Sequence, residues 1–365
     1  MKNPMLMIGI LTLACIPFAH AQEKQQEKKS SYEFPEYSEQ DYHSLDAPSY
    51  ELPYQETGPH IQGEFLYWQN IESNLIYAID QPPHASNTDV IGLEGHLKQV
   101  TYRWDPGVRV GAGWKFSPET LDVSLIYTYF HNEGGDAVKQ RPGRTLKGVF
   151  PDFLGDTISD ISSTADLMYQ TLDLQATHTF QSSSSFVMDF LFGVRGAWIS
   201  QGWNTCYKSN NLIFFDPFSG FGQRFETLVQ NTWKFSGAGL RTGLSMDWFI
   251  GWGIYAHVQT SMSAIVGRFR NKQQIDSTTQ VRYSKVHPSD TRIIPSWEIL
   301  LGLGWRKNIS SYAFKVFCNW EMNLWSRLNQ TYFYPATTVD DSKVGSWSRD
   351  SVNLQGITAG IGVEF

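Results

Sequence analysis

Single charged residues recur at regular spacing inside stretches that are otherwise apolar. Arg109, for example, lies between Val108 and Val110 in the stretch PGVRVGAGWKF. Charged side chains that share one face of such stretches can line a hydrated path for ions and small polar solutes, and we predict this pore-lining role. The thirteen candidates are Glu64, Arg109, Lys115, Asp122, Asp173, Asp189, Arg195, Arg241, Asp247, Glu298, Arg306, Lys315 and Glu321. Six are basic and seven are acidic, so we expect no sharp ion selectivity.

The sequence gives no sign of a metal or cofactor site. No cysteines have the spacing of a zinc site, so we predict no metal ligands and no cofactor. Beyond the first 21 residues only Cys206 and Cys318 remain. Cys318 falls in the middle of an apolar strand face and Cys206 near a link, so we expect two free thiols rather than a disulfide.

The charged residues lie in segments that alternate with a period of two, as residues 167–200 show. One parity of the first half is apolar, the other carries Tyr, Thr, Asp and Gln, and the alternation resumes after SSSS (182–185). Because successive side chains of a strand point to opposite faces, each half is a strand with one apolar and one polar face. The apolar positions are Met168, Leu172, Leu174, Ala176, Phe180, Phe186, Met188, Phe190, Phe192, Val194 and Trp198.

Ten such arms follow one another between residues 61 and 365, and their links alternate in length. The short links are 117–120, 182–185, 250–253 and 307–311, and the long links are 77–97, 132–166, 203–230, 270–291 and 327–350. The long links carry the residues expected of solvent loops. Short turns at one end and long loops at the other are typical of an outer-membrane barrel. We therefore predict an all-β fold, a transmembrane antiparallel up-and-down β-barrel of about 10 strands (roughly 8–14).

A soluble β-sandwich also has alternating strands, but three features weigh against it. Sandwich strands are typically about five to six residues long, and these arms are roughly twice that. Charges lie in the middle of the polar faces. Aromatic residues also crowd the ends of the arms, as in the girdles of membrane barrels. At the short-turn end they are Trp114, Phe116, Phe180, Trp248, Phe249, Trp305 and Tyr312, and at the other end Tyr129, Phe130, Trp198, Trp203 and Trp325.

The first 60 residues differ from the rest. Residues 1–21 have a basic start, an apolar run and a small-x-small end, which predicts a secretory signal peptide cleaved after Ala21. Residues 22–60 are polar and without periodicity, so we expect a disordered periplasmic tail. The barrel is predicted to occupy residues 61–365. The formal charge of −7 and the lack of a basic run interleaved with aromatics argue against nucleic acid as a partner.

The barrel segments, taken together, resemble a known family. The stretches GEFLYWQ (63–69), PGVRVGAGWKF (106–116), GVRGAWIS (193–200), FSGAGLRTGLSMDWFIGWG (235–253), VGRF (266–269) and LQGITAGIGVEF (354–365) are similar to the Legionella-type major outer-membrane, pore-forming protein family, which also occurs in environmental chlamydiae. The resemblance implies a porin in a bacterial outer membrane. It also implies that the terminal Phe365 is the signal read by the barrel-assembly machinery. The many thiols that cross-link chlamydial major porins are not present in this chain.

Two functions remain open from the sequence. The first is a porin-like channel for passive diffusion of small polar solutes and ions; the second is a sealed barrel whose surface loops serve adhesion or host interaction. Outer-membrane lipid and lipopolysaccharide are the expected surroundings in either case, and homo-oligomerisation is compatible with both. Some membrane barrels are proteases with Asp and His at the outer rim, where His131, Asp152 and Asp156 lie. Loops are rich in such residues by chance, and a sequence does not show whether a general base has a partner at hydrogen-bond distance. We predict that the protein is not an enzyme.

Overall fold

Ten long antiparallel strands pair edge to edge around a closed ring. The computed structural model describes residues 57–82, 95–117, 121–149, 158–183, 185–215, 222–277, 280–309, 312–333 and 346–365. The ring strands are β1 (Gly58–Ile71), β4 (Asp105–Ser117), β5 (Leu121–Lys139), β7 (Ile158–Ser183), β8 (Phe186–Phe215), β9 (Gly222–Gly251), β10 (Ile254–Ser277), β12 (Ser289–Ile309), β13 (Tyr312–Phe333) and β14 (Ser346–Glu364). Each pairs with its neighbours in chain order, and β14 pairs with β1. The all-β barrel of ten strands predicted from the sequence is therefore confirmed.

Four shorter strands lie within the long links. They are β2 (Ile76–Gln81), β3 (His96–Gln99), β6 (Thr145–Gly148) and β11 (Gln280–Val286). Strands β3, β2 and β6 form a separate antiparallel sheet in that order, which we call the plug sheet, whereas β11 pairs with the far end of β10. In the described part of the chain, no helix is long and apolar enough to cross a membrane.

The turn between β9 and β10 explains one short link. Gly251, Trp252 and Gly253 have φ values of 138°, 52° and 80°, a region that glycine adopts without steric cost. Trp252 is the exception, and its side chain is 83% exposed. Residues 118–120, 184 and 310–311 of the other short links lie outside the described residues, as do the predicted signal peptide, its cleavage site at Ala21 and most of the predicted tail.

The apolar face of the strands points outward over one membrane thickness. On β9, Leu240 is 60% exposed, whereas the next residue, Arg241, is 4% exposed. On β10 every second side chain from Ile254 to Val266 is outward, and none of these is charged. Twelve residue steps of about 3.3 Å cover about 40 Å, or about 28 Å along the membrane normal at a tilt of about 45°. This matches the apolar band of outer-membrane barrels.

Beyond that band the polarity of the two faces is inverted. Several ring strands continue toward the long-link end, where inward side chains such as Trp233, Phe269 and Ile275 are at most 3% exposed, while outward positions carry Lys and Arg.

The side chains predicted for the aromatic girdles fall into two groups, one on the outer face and one pointing inward. Trp114, Phe116, Phe180, Trp248, Trp305, Tyr312, Tyr129 and Trp198 are exposed on the outer face. Phe130, Trp203, Trp325 and Phe249 were wrongly placed there, because they point inward and are buried.

The long links contain much less loop than the sequence predicted. Residues 203–230 are mostly strand, since β8 continues to Phe215 and β9 begins at Gly222. The reason is that hydrogen bonding between neighbouring strands continues past the membrane, where the outward face meets water and turns polar. We call the strand segments beyond the apolar band the outer extension.

The plug sheet fills the interior of this outer extension. Tyr77 and Ala78 of β2 are fully buried, and Leu146 of β6 is 1% exposed, in one apolar cluster with inward residues of the ring strands. The hydroxyl of Tyr207 on β8 donates a 2.9 Å hydrogen bond to the Tyr77 carbonyl oxygen. Parts of the links 77–97 and 132–166 therefore fold into the barrel instead of standing out from it.

Candidate functional site

All thirteen charged residues predicted from the alternation lie on the lumen side of the ring. Ten of them border one cavity at the short-turn end of the barrel: Glu64, Arg109, Asp122, Asp173, Asp189, Arg195, Arg241, Asp247, Glu298 and Lys315. Glu321 lies against Arg109, and Lys115 and Arg306 contact Glu364 near the mouth. Whether these residues line a path for solutes stays a prediction.

Four of them form a tight ion cluster across one side of the lumen, consisting of Asp173, Arg195, Arg241 and Glu298. Arg195 donates to Asp173 (Nε to Oδ1, 2.6 Å) and to Glu298 (Nη2 to Oε2, 2.9 Å). Arg241 donates to the same two carboxylates at 2.7 Å each. All four side chains are at most 5% exposed. Water is therefore almost excluded from these four side chains, although all of them are charged.

A second ion group, formed by Arg109, Glu64 and Glu321, lies on the opposite side of the lumen. The Arg109 guanidinium on β4 donates to Glu64 at 2.8 Å and, through Nη2, to Glu321 Oε1 at 2.6 Å. The Glu321 side chain, on β13, is fully buried. Both charged groups of such a buried ion pair lose their hydration, and only complete hydrogen bonding offsets that cost. Among the described residues, Arg195 Nη1 is the one buried guanidinium nitrogen of these two groups that has no hydrogen-bond partner.

The cavity below these groups has a volume of about 200 Å³. At its sides, His257 Nδ1 lies 2.6 Å from Asp247 Oδ1 and His60 Nδ1 lies 3.7 Å from Asp122 Oδ1. A polar space of this size holds a few water molecules or one small solute. The four residues of the ion cluster are among those that line it.

An aromatic layer lies on the other side of the ion cluster, formed by Trp68, Phe130, Tyr169 and Trp325. All four side chains are at most 1% exposed. The rings of Trp68 and Phe130 are 5.5 Å apart, and those of Tyr169 and Trp325 are 5.8 Å apart. The Arg109 guanidinium lies 5.4 Å from the Trp68 ring and connects this layer to the charged one. Sequence reasoning missed the layer because it placed Phe130 and Trp325 in the lipid-facing girdles and read Tyr169 only as part of a polar strand face.

One further polar group was also missed. Glu72 follows β1, is 5% exposed, and accepts 2.7 Å hydrogen bonds from the side-chain amides of Asn70, Gln201 and Asn329. Burial raises the pKa of Glu72 to about 7, against the opposing effect of the three amide donors. The carboxyl group thus connects β1, β8 and β13 across the outer extension. Its partners lie 129 and 257 residues away, so no local spacing could have indicated it.

The remaining residues singled out from the sequence lie elsewhere. His131 Nε2 lies 3.3 Å from Glu133 Oε1 on the exposed side of β5, whereas Asp152 and Asp156 lie outside the described residues. Cys206 and Cys318 are free thiols, as predicted, although Cys206 belongs to β8 and not to a loop. Phe365 packs edge-on against Tyr312, with ring centroids 5.5 Å apart, at the short-turn end.

Comparison with known structures gives outer-membrane barrels at low similarity. The outer membrane protease OmpT from Escherichia coli has a TM-score of 0.41 and 8% identity, covering 85% of this chain and 97% of that one. The toluene transporter TodX of P. putida has a TM-score of 0.32 and 9% identity, covering 87% and 93%. A FadL homologue from Pseudomonas aeruginosa has a TM-score of 0.25 and 6% identity, covering 85% and 90%. No curated protein matches the chain.

A family model supplies the identity that the structural comparisons do not. The model of the Legionella pneumophila major outer membrane protein precursor matches residues 51–365. The match includes every described strand of the ring. The chain therefore belongs to the Legionella major outer membrane protein family and is a β-barrel protein of the bacterial outer membrane.

Proposed function

We propose that the barrel is closed to solutes at rest and acts as a structural outer-membrane protein whose outer extension meets the cell's surroundings. The observation that carries the proposal is the fourfold ion cluster, in which Asp173, Arg195, Arg241 and Glu298 are at most 5% exposed. An open aqueous channel would hydrate such groups. Adhesion or host interaction through the outer surface is the corresponding activity.

Two further layers support closure. The aromatic layer is dry, and the plug sheet occupies the interior of the outer extension with Tyr77 and Ala78 fully buried. A barrel of about eight strands leaves an interior that side chains just fill, whereas wide water-filled channels have about sixteen. A ring of ten strands is near the filled limit.

Electrical recording of the purified protein in planar bilayers tests the proposal. We expect no discrete current steps from the parent protein, and steps from a variant in which the ion cluster and aromatic layer are both reduced, R195S/E298S/Y169A/W325A. A known open porin reconstituted in the same way controls for insertion. Stable, stepwise conductance of the parent at low voltage would contradict a closed resting barrel.

A general diffusion channel is the second candidate, and the cavity of about 200 Å³ at the short-turn end favours it. In that case solutes must pass the ion cluster, so the double variant R195S/E298S should change the single-channel conductance of an already conducting parent. Small polar solutes and ions would be the cargo, because the lining has both signs of charge. The proposed role is not enzymatic. Phe365 is proposed to be the signal through which the barrel-assembly machinery recognises the chain.

A further inference from the structure

Four basic side chains form a patch on the outer face of the barrel, at the border of the apolar band. They are Lys234 on β9 and Arg268, Arg270 and Lys272 on β10, and all four are exposed. Along β10 they follow directly on the outward series that ends at Val266. Their height is therefore about one membrane thickness from the short-turn end, where the headgroups of the outer leaflet lie.

The patch is concentrated by the register of the sheet. Arg270 and Lys234 are directly paired across β9 and β10, and opposed like charges in such a pair destabilise a sheet. Arg268 and Lys272 flank Arg270 on the same face of the same strand, since residues two apart point the same way. The free protein gains nothing from this repulsion, whereas a bound anion would relieve it.

Carboxylates do not neutralise the patch. Within the ranges that the structure describes, none of the four residues takes part in an ion pair. Nearby acids have other partners: Asp276 accepts a 2.7 Å hydrogen bond from Gln274, and Asp290 pairs with Arg292 at 2.6 Å. The four positive charges are thus available to an external ligand.

We propose that this basic patch binds the phosphate groups of lipid A, the membrane anchor of lipopolysaccharide, in the outer leaflet. Arg matches phosphate oxygens through paired N–H donors, and the adjoining apolar positions Val266, Leu240 and Ile293, 53–66% exposed, lie where acyl chains would pack. The inference requires the long-link end to face the cell exterior, and it holds whether or not the lumen conducts.

Binding of detergent-solubilised lipid A to the folded full-length barrel tests the site. The patch variant is R268Q/R270Q, and the matched control is K139Q/K208Q, which removes two exposed charges on β5 and β8 farther from the apolar band. We expect the patch variant to bind bisphosphorylated lipid A at least tenfold more weakly than the parent, and the control to bind like the parent. Heat-modifiable electrophoretic mobility confirms that each variant is folded.

Three further arms identify the chemistry. Dephosphorylated lipid A should bind the parent as weakly as bisphosphorylated lipid A binds the patch variant. Added salt should weaken the binding of bisphosphorylated lipid A to the parent. The variant R268K/R270K should retain most of the parent's affinity for bisphosphorylated lipid A. Equal binding by parent and patch variant, or an equal loss in the control, would overturn the proposal. Binding of a soluble sulfated polysaccharide through the patch with no binding of lipid A would overturn it as well.

Discussion

The side-chain amide of Asn323 on β13 donates a 3.1 Å hydrogen bond to the hydroxyl of Tyr169 on β7. Four strands of the ring separate β13 from β7 in either direction, so the bond joins opposite walls of the barrel. Such a contact requires that no continuous water column passes between them. At this level the lumen is packed in the manner of a protein core, and substitutions there should have the energetic effects of core substitutions.

Removing one partner of the ion cluster should strongly destabilise the barrel. Glu298→Ala leaves Arg195 and Arg241 each without one carboxylate in a dry site, which typically costs about 3–5 kcal/mol of the free energy of unfolding. Urea titration in phospholipid vesicles, followed by tryptophan fluorescence, measures this. The control is Arg103→Ala, which breaks an ion pair whose side chains are 69% and 56% exposed and should cost less than about 1 kcal/mol. Equal effects would show that the cluster is hydrated.

The aromatic layer predicts a contrast between two tryptophans of one strand. Trp325 is fully buried in the lumen, whereas Trp320 is 45% exposed on the outer face of β13. Trp325→Ala should lower the free energy of unfolding by about 3–5 kcal/mol, because it leaves a cavity. Trp320→Ala leaves none and should cost less. The same urea titration compares them, and a larger loss at Trp320 would reverse the assignment of the two faces.

The apolar band predicts an effect that depends on depth along β10. Val258 and Val266 both point outward and are 42% and 53% exposed, but Val258 lies near the middle of the band and Val266 at its outer border. Val258→Arg should cost about 2–4 kcal/mol of folding free energy in a bilayer, and Val266→Arg about 0–1 kcal/mol. Folding titrations in vesicles give both values. Equal costs at the two positions would place the membrane elsewhere on the barrel.

Glu72 predicts a pH dependence of the outer extension. Its pKa is about 7 in the folded protein, against 4.5 for an ordinary Glu side chain, so between these pH values the folded state binds more protons than the unfolded state. The free energy of unfolding should therefore fall as the pH rises from about 4.5 to 7, by roughly 3 kcal/mol from this group. Hydrogen exchange of the amides in β2 measures the stability of the plug sheet at each pH.

The matched variant for this prediction is Glu72→Gln, which is uncharged at every pH. Asn70 Oδ1 is buried without a hydrogen-bond partner, so rotation of that amide lets it accept from the new Gln side chain. The protection factors of its β2 amides, which correct for the intrinsic pH dependence of exchange, should be the same at pH 5 and pH 8. If it retains the pH dependence of the parent, Glu72 is not the group responsible.

The membrane-spanning part of the barrel could be read from residue order because it depends on local geometry. Alternation in 167–200 or 252–269 fixes which face of a strand is apolar, and lipid selects that face to be outside. All thirteen charged candidates share the other face for the same reason. The inversion of polarity beyond the membrane was missed, because two-residue alternation looks the same whether its apolar side meets lipid or a core.

The sequence by itself predicted about ten antiparallel strands and the outward side of each within the membrane, because successive side chains of a strand alternate and lipid takes the apolar face. Only the tertiary structure decided how the side chains of the lumen pack against one another. The partners of Arg195, Glu72 and Tyr169 come from strands tens to hundreds of residues away, and their meeting depends on the curvature of the ring and on links that fold inward. Contacts across a barrel have no period along the chain, so they become visible only when the ring is complete.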